Sequence, residues 1–391
     1  MSASPAGLTT PGAVFSLIRD GSVTTRAEIG RYTGLSRTAV AARVSSLQAR
    51  GLVLERADAA SSSGGGRPPA RLIFNADAGV VLAAAIGRSR TQLGVCNLRG
   101  EVLTMANVDQ EIGLGPQELM PDIAKRLEAL LGDTGRGLHE VLGVGLSIPG
   151  TADTTRGCSL DSPIMSGWEG IALPPYLREL TAAPVLLDND ANVIVLAERR
   201  GQEGHFDDML LIKASTGLGA GIVAGGVLQR GAVGAAGEFG HTKIPAADGV
   251  ACRCGDTGCL EAIAGGWALV RSIQQHDDSV GHLRDLVDLA LAGDAEARRL
   301  IREAGRHIGE VLAGAVNLLN PQALVIAGDM AKAYDVLVAG LRETVYGNAS
   351  TLATRRLQIV PATHGERSGV IGCAAMILDH ILSVAAIDSA A

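Results

Sequence analysis

Aromatic side chains are scarce in this 391-residue chain: four Phe, four Tyr and two Trp, 3% of the whole. That excludes an aromatic-rich binding surface and leaves the core to Ala, Val, Leu and Gly. Gly stands at 51 residues, which points to an α/β protein with many tight turns. Residues 1–13 lack the apolar stretch of a secretory leader. No apolar run is long enough to cross a bilayer without polar interruption, so the expected location is cytoplasmic, with no membrane partner. In that compartment thiols stay reduced, and the six cysteines do not read as a disulfide framework. Residues 1–75 contain no lysine; their charge comes from nine arginines against four carboxylates, a net +5. The whole chain carries −7, so the remainder is −12. A basic head on an acidic body is the electrostatic pattern of a DNA-reading module joined to something else. An unevenly charged solvated surface would carry the same signature.

What is present in the head is helical periodicity. Val14, Leu17 and Ile18 form one apolar face. Thr25-Arg-Ala-Glu28 has the capping-box pattern and opens a second helix with Ile29 inward. Gly34-Leu35-Ser36 makes a short turn, with Ser36 as N-cap of a third helix that buries Val40, Val44 and Leu47 and stops at Gly51. Leu52-Val53-Leu54 starts a strand. A Ser/Gly-rich tip with Arg67 then returns into the strand Arg71–Phe74, as in a wing. Two helices around a Gly-containing turn predict a winged helix-turn-helix over residues 1–75. Its candidate DNA-contacting residues are Ser36, Arg37, Thr38, Arg43 and Arg67. The alternative is a small helical protein-binding domain behind a flexible linker.

The body carries a duplicated pattern. Strands at Val80–Ile86, Gln92–Asn97 and Val102–Ala106, separated by Gly turns, recur as Met209–Ala214, Gly221–Ala224 and Val227–Gln229. Two related lobes around a ligand cleft follow, placed at 76–190 and 191–391, with the C-terminal helix (Gly369–Ser383) able to return to the first lobe. Leu142–Ile148, Pro184–Leu187 and Ala323–Ala327 read as further strands. Asp190–Arg199 starts a helix, and Leu300–Leu319 reads as a long amphipathic helix closed by Asn320-Pro321.

The densest chemistry is Cys252-Arg-Cys254-Gly-Asp-Thr-Gly-Cys259, with His241 eleven residues upstream. Three Cys and one His can close a tetrahedral structural Zn²⁺ site; a disulfide plus a free thiol is the competing reading. Glu238 and Glu261 flank this cluster, and a metal clamping both segments would hold their carboxylates on one wall, suited to polyol hydroxyls. Asp188-Asn189-Asp190, between a strand and a helix, suits hydroxyl binding or base chemistry, or plain helix capping. Ser215-Thr-Gly-Leu-Gly-Ala-Gly221 could cradle phosphate with backbone N–H groups.

Taken together, Glu238-Phe-Gly-His241, the Cys252–Glu261 segment, Ser147-Ile-Pro-Gly150, Ser162-Pro163 with Gly167-Trp168, and Asn189-Asp190-Ala-Asn192 resemble the ROK family of repressors, open reading frames and sugar kinases. The winged head resembles its repressor branch. The resemblance implies an actin-like, hexokinase-like fold, a sugar contacted by Asn189, Asp190, Glu238, His241 and Glu261, and zinc held by His241, Cys252, Cys254 and Cys259. In the kinases the residue matching Asp190 is the catalytic base. This chain departs from that pattern where the first phosphate loop reads Ala85-Ile86-Gly87-Arg88-Ser89: Ala85 replaces an Asp and Arg88 a Gly. Ile164 stands where the family often has Asn. Phosphoryl transfer depends on positioned metal and phosphate contacts, so the expectation is no enzyme activity and a vestigial base at Asp190. The expected function is a sugar-responsive regulator, a repressor of carbohydrate-metabolism genes. Its expected partners are a double-stranded operator with inverted repeats, a sugar or sugar phosphate, and a second copy of itself in a homodimer or homotetramer. The alternatives are an ATP-dependent sugar kinase that binds DNA, and a regulator controlled by a protein partner.

Overall fold

The structure, a computed structural model, describes residues 9–57, 70–110, 113–160, 167–200 and 206–390. Helix α1 (Pro11–Arg19) is capped by Thr10, whose hydroxyl accepts from the Ala13 N–H. The capping box of α2 (Arg26–Thr33) forms in full. The Thr25 hydroxyl takes the Glu28 N–H, and the Glu28 carboxylate takes the N–H groups of Thr24 and Thr25. The Thr24 backbone bond, with the other hydrogen bonds of this box, holds the Glu28 carboxyl below the usual range. Gly34 closes α2 at φ +75°, a left-handed conformation that a side chain would disfavour. Ser36 then caps α3 (Arg37–Ala49) through the Ala39 N–H. Strand β1 (Val53–Ala57) pairs antiparallel with β2 (Ala70–Phe74), Val53 opposite Phe74. The Ser/Gly tip with Arg67 lies outside the described residues.

Two five-stranded sheets build the body. In the first, β3 (Val80–Ile86), β4 (Arg90–Asn97) and β5 (Val102–Asp109) form an antiparallel meander, and α4 (Pro116–Asp133) follows. Strand β6 (Val141–Ile148) then runs parallel to β3. A small ribbon, β7 (Ala152–Asp153) with β8 (Cys158–Ser159), precedes β9 (Val185–Asn189), which is parallel to β6, and α5 (Asp190–Glu198). The order is β5-β4-β3-β6-β9. The second sheet repeats the plan: β10 (Met209–Ala214), β11 (Leu218–Ala224) and β12 (Val227–Gln229) form its meander. Helices α6 (Glu261–Ala264), α7 (Gly266–Ile273), α8 (Leu283–Ala292) and α9 (Ala295–Leu319) lead to β13 (Ala323–Ala327). Then α10 (Tyr334–Asn348) and α11 (Thr351–Thr354) lead to β14 (Gln358–Pro361), and the order is β12-β11-β10-β13-β14. Strand β13 is buried throughout, as befits a central parallel strand. The chain ends in α12 (Ser368–Ile381) and α13 (Val384–Ser389).

By the duplicated plan α5 and α12 are equivalents, each following the last strand of its sheet. They cross between the sheets and exchange sides: α12 packs on β3 and β6, while α5 packs on β10 and β11. Their axes touch where Gly372 meets the Val193 carbonyl. Helix α9 begins at Ala295, earlier than its apolar periodicity suggests, because Asp294 caps it through the Ala297 N–H; Asn320 ends it in a left-handed conformation. Helix α4 runs through Pro121, a residue that in sequence reads as a stop.

The head shares a hydrophobic core with the first lobe. Phe15 packs edge-on against Phe74 at 5.5 Å, and the cluster runs from Val14, Ile29 and Leu47 through Val81 and Cys96 to Ile377 and Ile387. Helix α13 lies on α1: Gly12 has room for no side chain against the Val384 backbone, and its N–H donates to Asp388 (2.7 Å). Arg50 of the α3 cap donates to the Ile387 carbonyl at 2.8 Å. Among the described residues, no helix is long and apolar enough to cross a membrane.

Candidate functional site

The facing ends of the two sheets enclose a cleft of about 380 Å³, and Asn189, Asp190, Glu238, His241 and Glu261 all line it. Asn189 and Asp190 arrive at the end of β9, where the strand turns into α5. Asn189 also serves as the N-cap expected of such a residue. Its side-chain oxygen accepts from Ala191 and Asn192, and its amide donates to the Gly150 carbonyl at 2.8 Å. Asp190 pairs with Lys213 of β10 across the cleft. Its neighbour Asp188 is only 2% exposed; it accepts from Asn189 N, Asn192 and Arg230, the last from the loop after β12 at 2.8 Å. That ion pair joins the two lobes.

The opposite wall rests on Gly237, at φ +102°, where a Cβ would lie 2.0 Å from the Ala220 carbonyl oxygen. Only glycine lets the backbone pass β11 that closely and present Glu238. The Glu238 carboxylate accepts from Thr151 at 3.4 Å and lies 3.7 Å from His241 Nε2. Burial raises its pKa, and the neighbouring His241 partly offsets the effect. Glu261 is 5% exposed and already occupied, accepting from the Leu218 N–H (2.8 Å) and from Trp267 Nε1 (3.1 Å). One N–H of the Gly-rich turn at 215–221 is thereby used inside the protein.

His241 faces two ways. Nε2 points to Glu238, and Nδ1 stands 3.8 Å from Cys252 Sγ. The ligand atoms of His241, Cys252, Cys254 and Cys259 lie within 4.8 Å of one another, with Cys254 and Cys259 sulfurs 3.7 Å apart. Tetrahedral zinc with bonds of about 2.3 Å requires sulfurs about 3.8 Å apart, so the donor set fits. All six cysteines are free thiols. Burial raises the Cys252 pKa to about 12, and a bound cation would offset that by stabilising the thiolate. Lys243 donates to Cys259 Sγ at 3.2 Å and to the Thr257 carbonyl at 2.6 Å, which orients that thiol.

The DNA-contact candidates are placed differently from one another. Arg37 and Thr38 are exposed on the first turn of α3. Ser36 is exposed and spends its hydroxyl on the cap, and Arg43 is half-buried, its Nε donating to the Thr9 carbonyl at 3.1 Å. Arg67 and Ile164 lie outside the described residues. Trp168 is a buried anchor whose indole donates to the Leu114 carbonyl. Ala85, Arg88 and Ser89 do line the cleft. Sequence reasoning passed over Lys213, Arg230, Arg253 and Trp267. Arg253 sits between Cys252 and Cys254, and its guanidinium lies 4.5 Å over the Trp267 ring. A half-solvated cation in a cysteine loop carries no signal of its own until the ring beneath it is known.

Residues 81–380 match the ROK family, and the chain belongs to it. It is 28% identical over 385 residues to a xylose repressor of Caldicellulosiruptor bescii, covering 95% of each chain. A solved ROK family transcriptional regulator, a homologue of the E. coli MLC protein, superposes with a TM-score of 0.78 and 24% identity over 98% of both chains, which shows the fold. A ROK glucokinase from Streptomyces griseus, solved with glucose and AMPPNP, matches with a TM-score of 0.65 and 28% identity. It is covered over 99% of its own length but accounts for only 76% of this chain.

Proposed function

We propose that this protein is a sugar-responsive transcriptional repressor. Residues 1–75 are a winged helix-turn-helix, 76–190 and 191–391 two lobes that close on a sugar, and α12 returns to the first lobe. The observation that carries this reading is the single cleft that gathers Asn189 and Asp190 from one lobe and Glu238, His241 and Glu261 from the other. A sugar held by both walls binds the closed state more tightly and shifts the population toward it. The duplicated, crossed helices give that closure an outlet. Ser368 and Gly369 line the cleft at the start of α12, and α13 beyond it lies on α1 of the head. A hydroxyl-rich ligand thus reaches the DNA-contacting helix through packed helices.

In this reading Arg37 and Thr38 enter the major groove, Arg43 steadies the N-terminal segment, and Arg67 belongs to the wing. The chain works as a homodimer or homotetramer on an inverted repeat. Zinc, held by His241, Cys252, Cys254 and Cys259, is structural: it ties the two segments that present Glu238 and Glu261. Kinase activity is not part of the proposal. Ala85 offers no carboxylate for magnesium, Arg88 occupies the phosphate loop, and Asp190 is neutralised by Lys213. The relatives that match along the full chain carry repressor names, whereas the kinase match stops short of the head.

A thermal-shift and gel-shift series tests this. A sugar far above its dissociation constant raises the melting temperature by mass action and changes operator affinity, and magnesium-ATP does neither. Arg37→Ala abolishes operator binding and leaves the sugar response in place. Stabilisation by ATP with sugar turnover would restore the kinase reading. No response to any sugar would hand control to a protein partner.

A further inference from the structure

Two arginines in the cleft have no ion-pair partner among the described residues. Arg88 comes from the β3–β4 turn of the first lobe and Arg253 from the cysteine loop of the second, and both line the cavity. Among the described residues neither makes a hydrogen bond or an ion pair. Arg88 Nε is buried without a partner. Arg253 is steadied only by its stacking on Trp267, which Arg271 covers at 4.9 Å. Glu261 is within electrostatic reach of both guanidinium groups, yet its two oxygens already accept from Leu218 and Trp267. Lys213 and Lys332, which also line the cleft, are already paired with Asp190 and Glu366, whereas Arg88 and Arg253, on the two facing walls, keep their donors free among the described residues. An unsatisfied donor on the half-buried Arg88 guanidinium is costly, so an anion that accepts from it and from the more exposed Arg253 is favoured there.

We propose that the effector is a phosphorylated monosaccharide whose phosphoryl group sits between Arg88 and Arg253. This rests on the reading of the cleft as a sugar-sensing site and narrows it to one class of ligand. The planar guanidinium fork matches phosphate oxygens two at a time, and a phosphoryl group offers enough acceptors for both forks. Hydroxyls of the same molecule face Asp190, Glu238 and His241. Because one arginine belongs to each lobe, a phosphoryl group between them offsets the repulsion of their like charges and so favours closure. A neutral sugar leaves that repulsion in place. The arginine that interrupts the phosphate loop of a kinase becomes, in a sensor, the means of reading whether the sugar has been phosphorylated.

Calorimetric titration of the zinc-loaded full chain decides the matter. Its probes are matched pairs: glucose, fructose, N-acetylglucosamine and ribose, each with its terminal phosphate ester, together with inorganic phosphate and magnesium-ATP. One ester should bind at least about tenfold tighter than its parent sugar, with an affinity that falls as salt rises. Arg88→Gly, which puts the small residue of the kinases back into the turn, should collapse that ratio toward one. Arg253→Gln, checked for full zinc content, should do the same. A parent sugar binding as tightly as its ester, or an unchanged ratio in Arg88→Gly, overturns the anion site while the sugar-sensor reading stands. Binding of ATP or phosphate without any ester overturns it too, by assigning the arginines to another ligand. No binding by any sugar or ester overturns both readings.

Discussion

Gly372 is the contact point of the two crossed helices, and Gly372→Ala tests whether that crossing holds the lobes. An added Cβ would lie 1.8 Å from the Val193 carbonyl oxygen and 2.4 Å from its carbon, both backbone atoms. Ordinary contact needs roughly 3.4 Å, so the helices would have to separate by about 1.5 Å. Neither can retreat. Gly221 of β11 presses on Ala191 and Val195 behind α5, and Gly145 of β6 stands where a Cβ would be 2.1 Å from the Cys373 carbonyl behind α12. With relaxation blocked on both outer faces, the cost belongs at the top of the overpacking range, about 3 kcal/mol. For a body of roughly 300 residues, whose unfolding entropy is about 0.7 kcal/mol per degree, that is a fall in melting temperature of roughly 4–5 °C. Sugar affinity should fall with it, because Asp190 and Ser368 open these same two helices. Gly314→Ala is the matched control. Gly314 is exposed within α9 with no atom near its would-be Cβ, so the same methyl should stabilise by about 0.4–1 kcal/mol. Differential scanning calorimetry of both variants, followed by sugar titration, gives the answer. A Gly372→Ala protein melting within 1 °C (roughly 0.7 kcal/mol) of wild type would refute the claim that the crossing is rigid.

Two further outcomes follow from the site. Cys254→Ser should drop bound zinc from about one per chain to near zero, measured by atomic emission, and should weaken sugar binding because Glu238 and Glu261 lose their common anchor. Metal-free wild type with normal sugar affinity would show that the carboxylates are held without it. Arg230→Ala leaves Asp188 buried with only Asn189 and Asn192 as donors, and should cost roughly 1–3 kcal/mol in urea unfolding. Asp188→Asn in the same chain should recover part of that loss, and additive rather than compensating effects would show that the interlobe pair contributes nothing.

Local order could be read from residue types alone, because it depends on neighbours in the chain. The capping box at Thr25 and Glu28, the αL glycine at Gly34, the Ser36 cap and the two glycine-punctuated meanders each rest on contacts within a few residues. The His/Cys cluster was legible for a related reason: three cysteines within eight residues are a dense local signal, and the structure brings His241 to them. Charge asymmetry of the head likewise needs only a count. What the tertiary structure alone decided is who is left unpaired. Asn189 turned out to spend its amide on Gly150 and the α5 cap, Glu261 to be filled by Leu218 and Trp267, and Arg43 to hold Thr9, whereas Arg88 and Arg253 kept their donors free. Of these partners only the α5 cap and Trp267 lie near in sequence; Gly150, Leu218 and Thr9 are 34 to 43 residues away. The exchange of α5 and α12 between lobes, and the docking of α13 on α1 from 376 residues away (the span of the Gly12–Asp388 bond), were hidden for the same reason. Such pairings come from close packing of glycine-thinned surfaces, and a sequence shows that a surface is thin without showing what will lie against it.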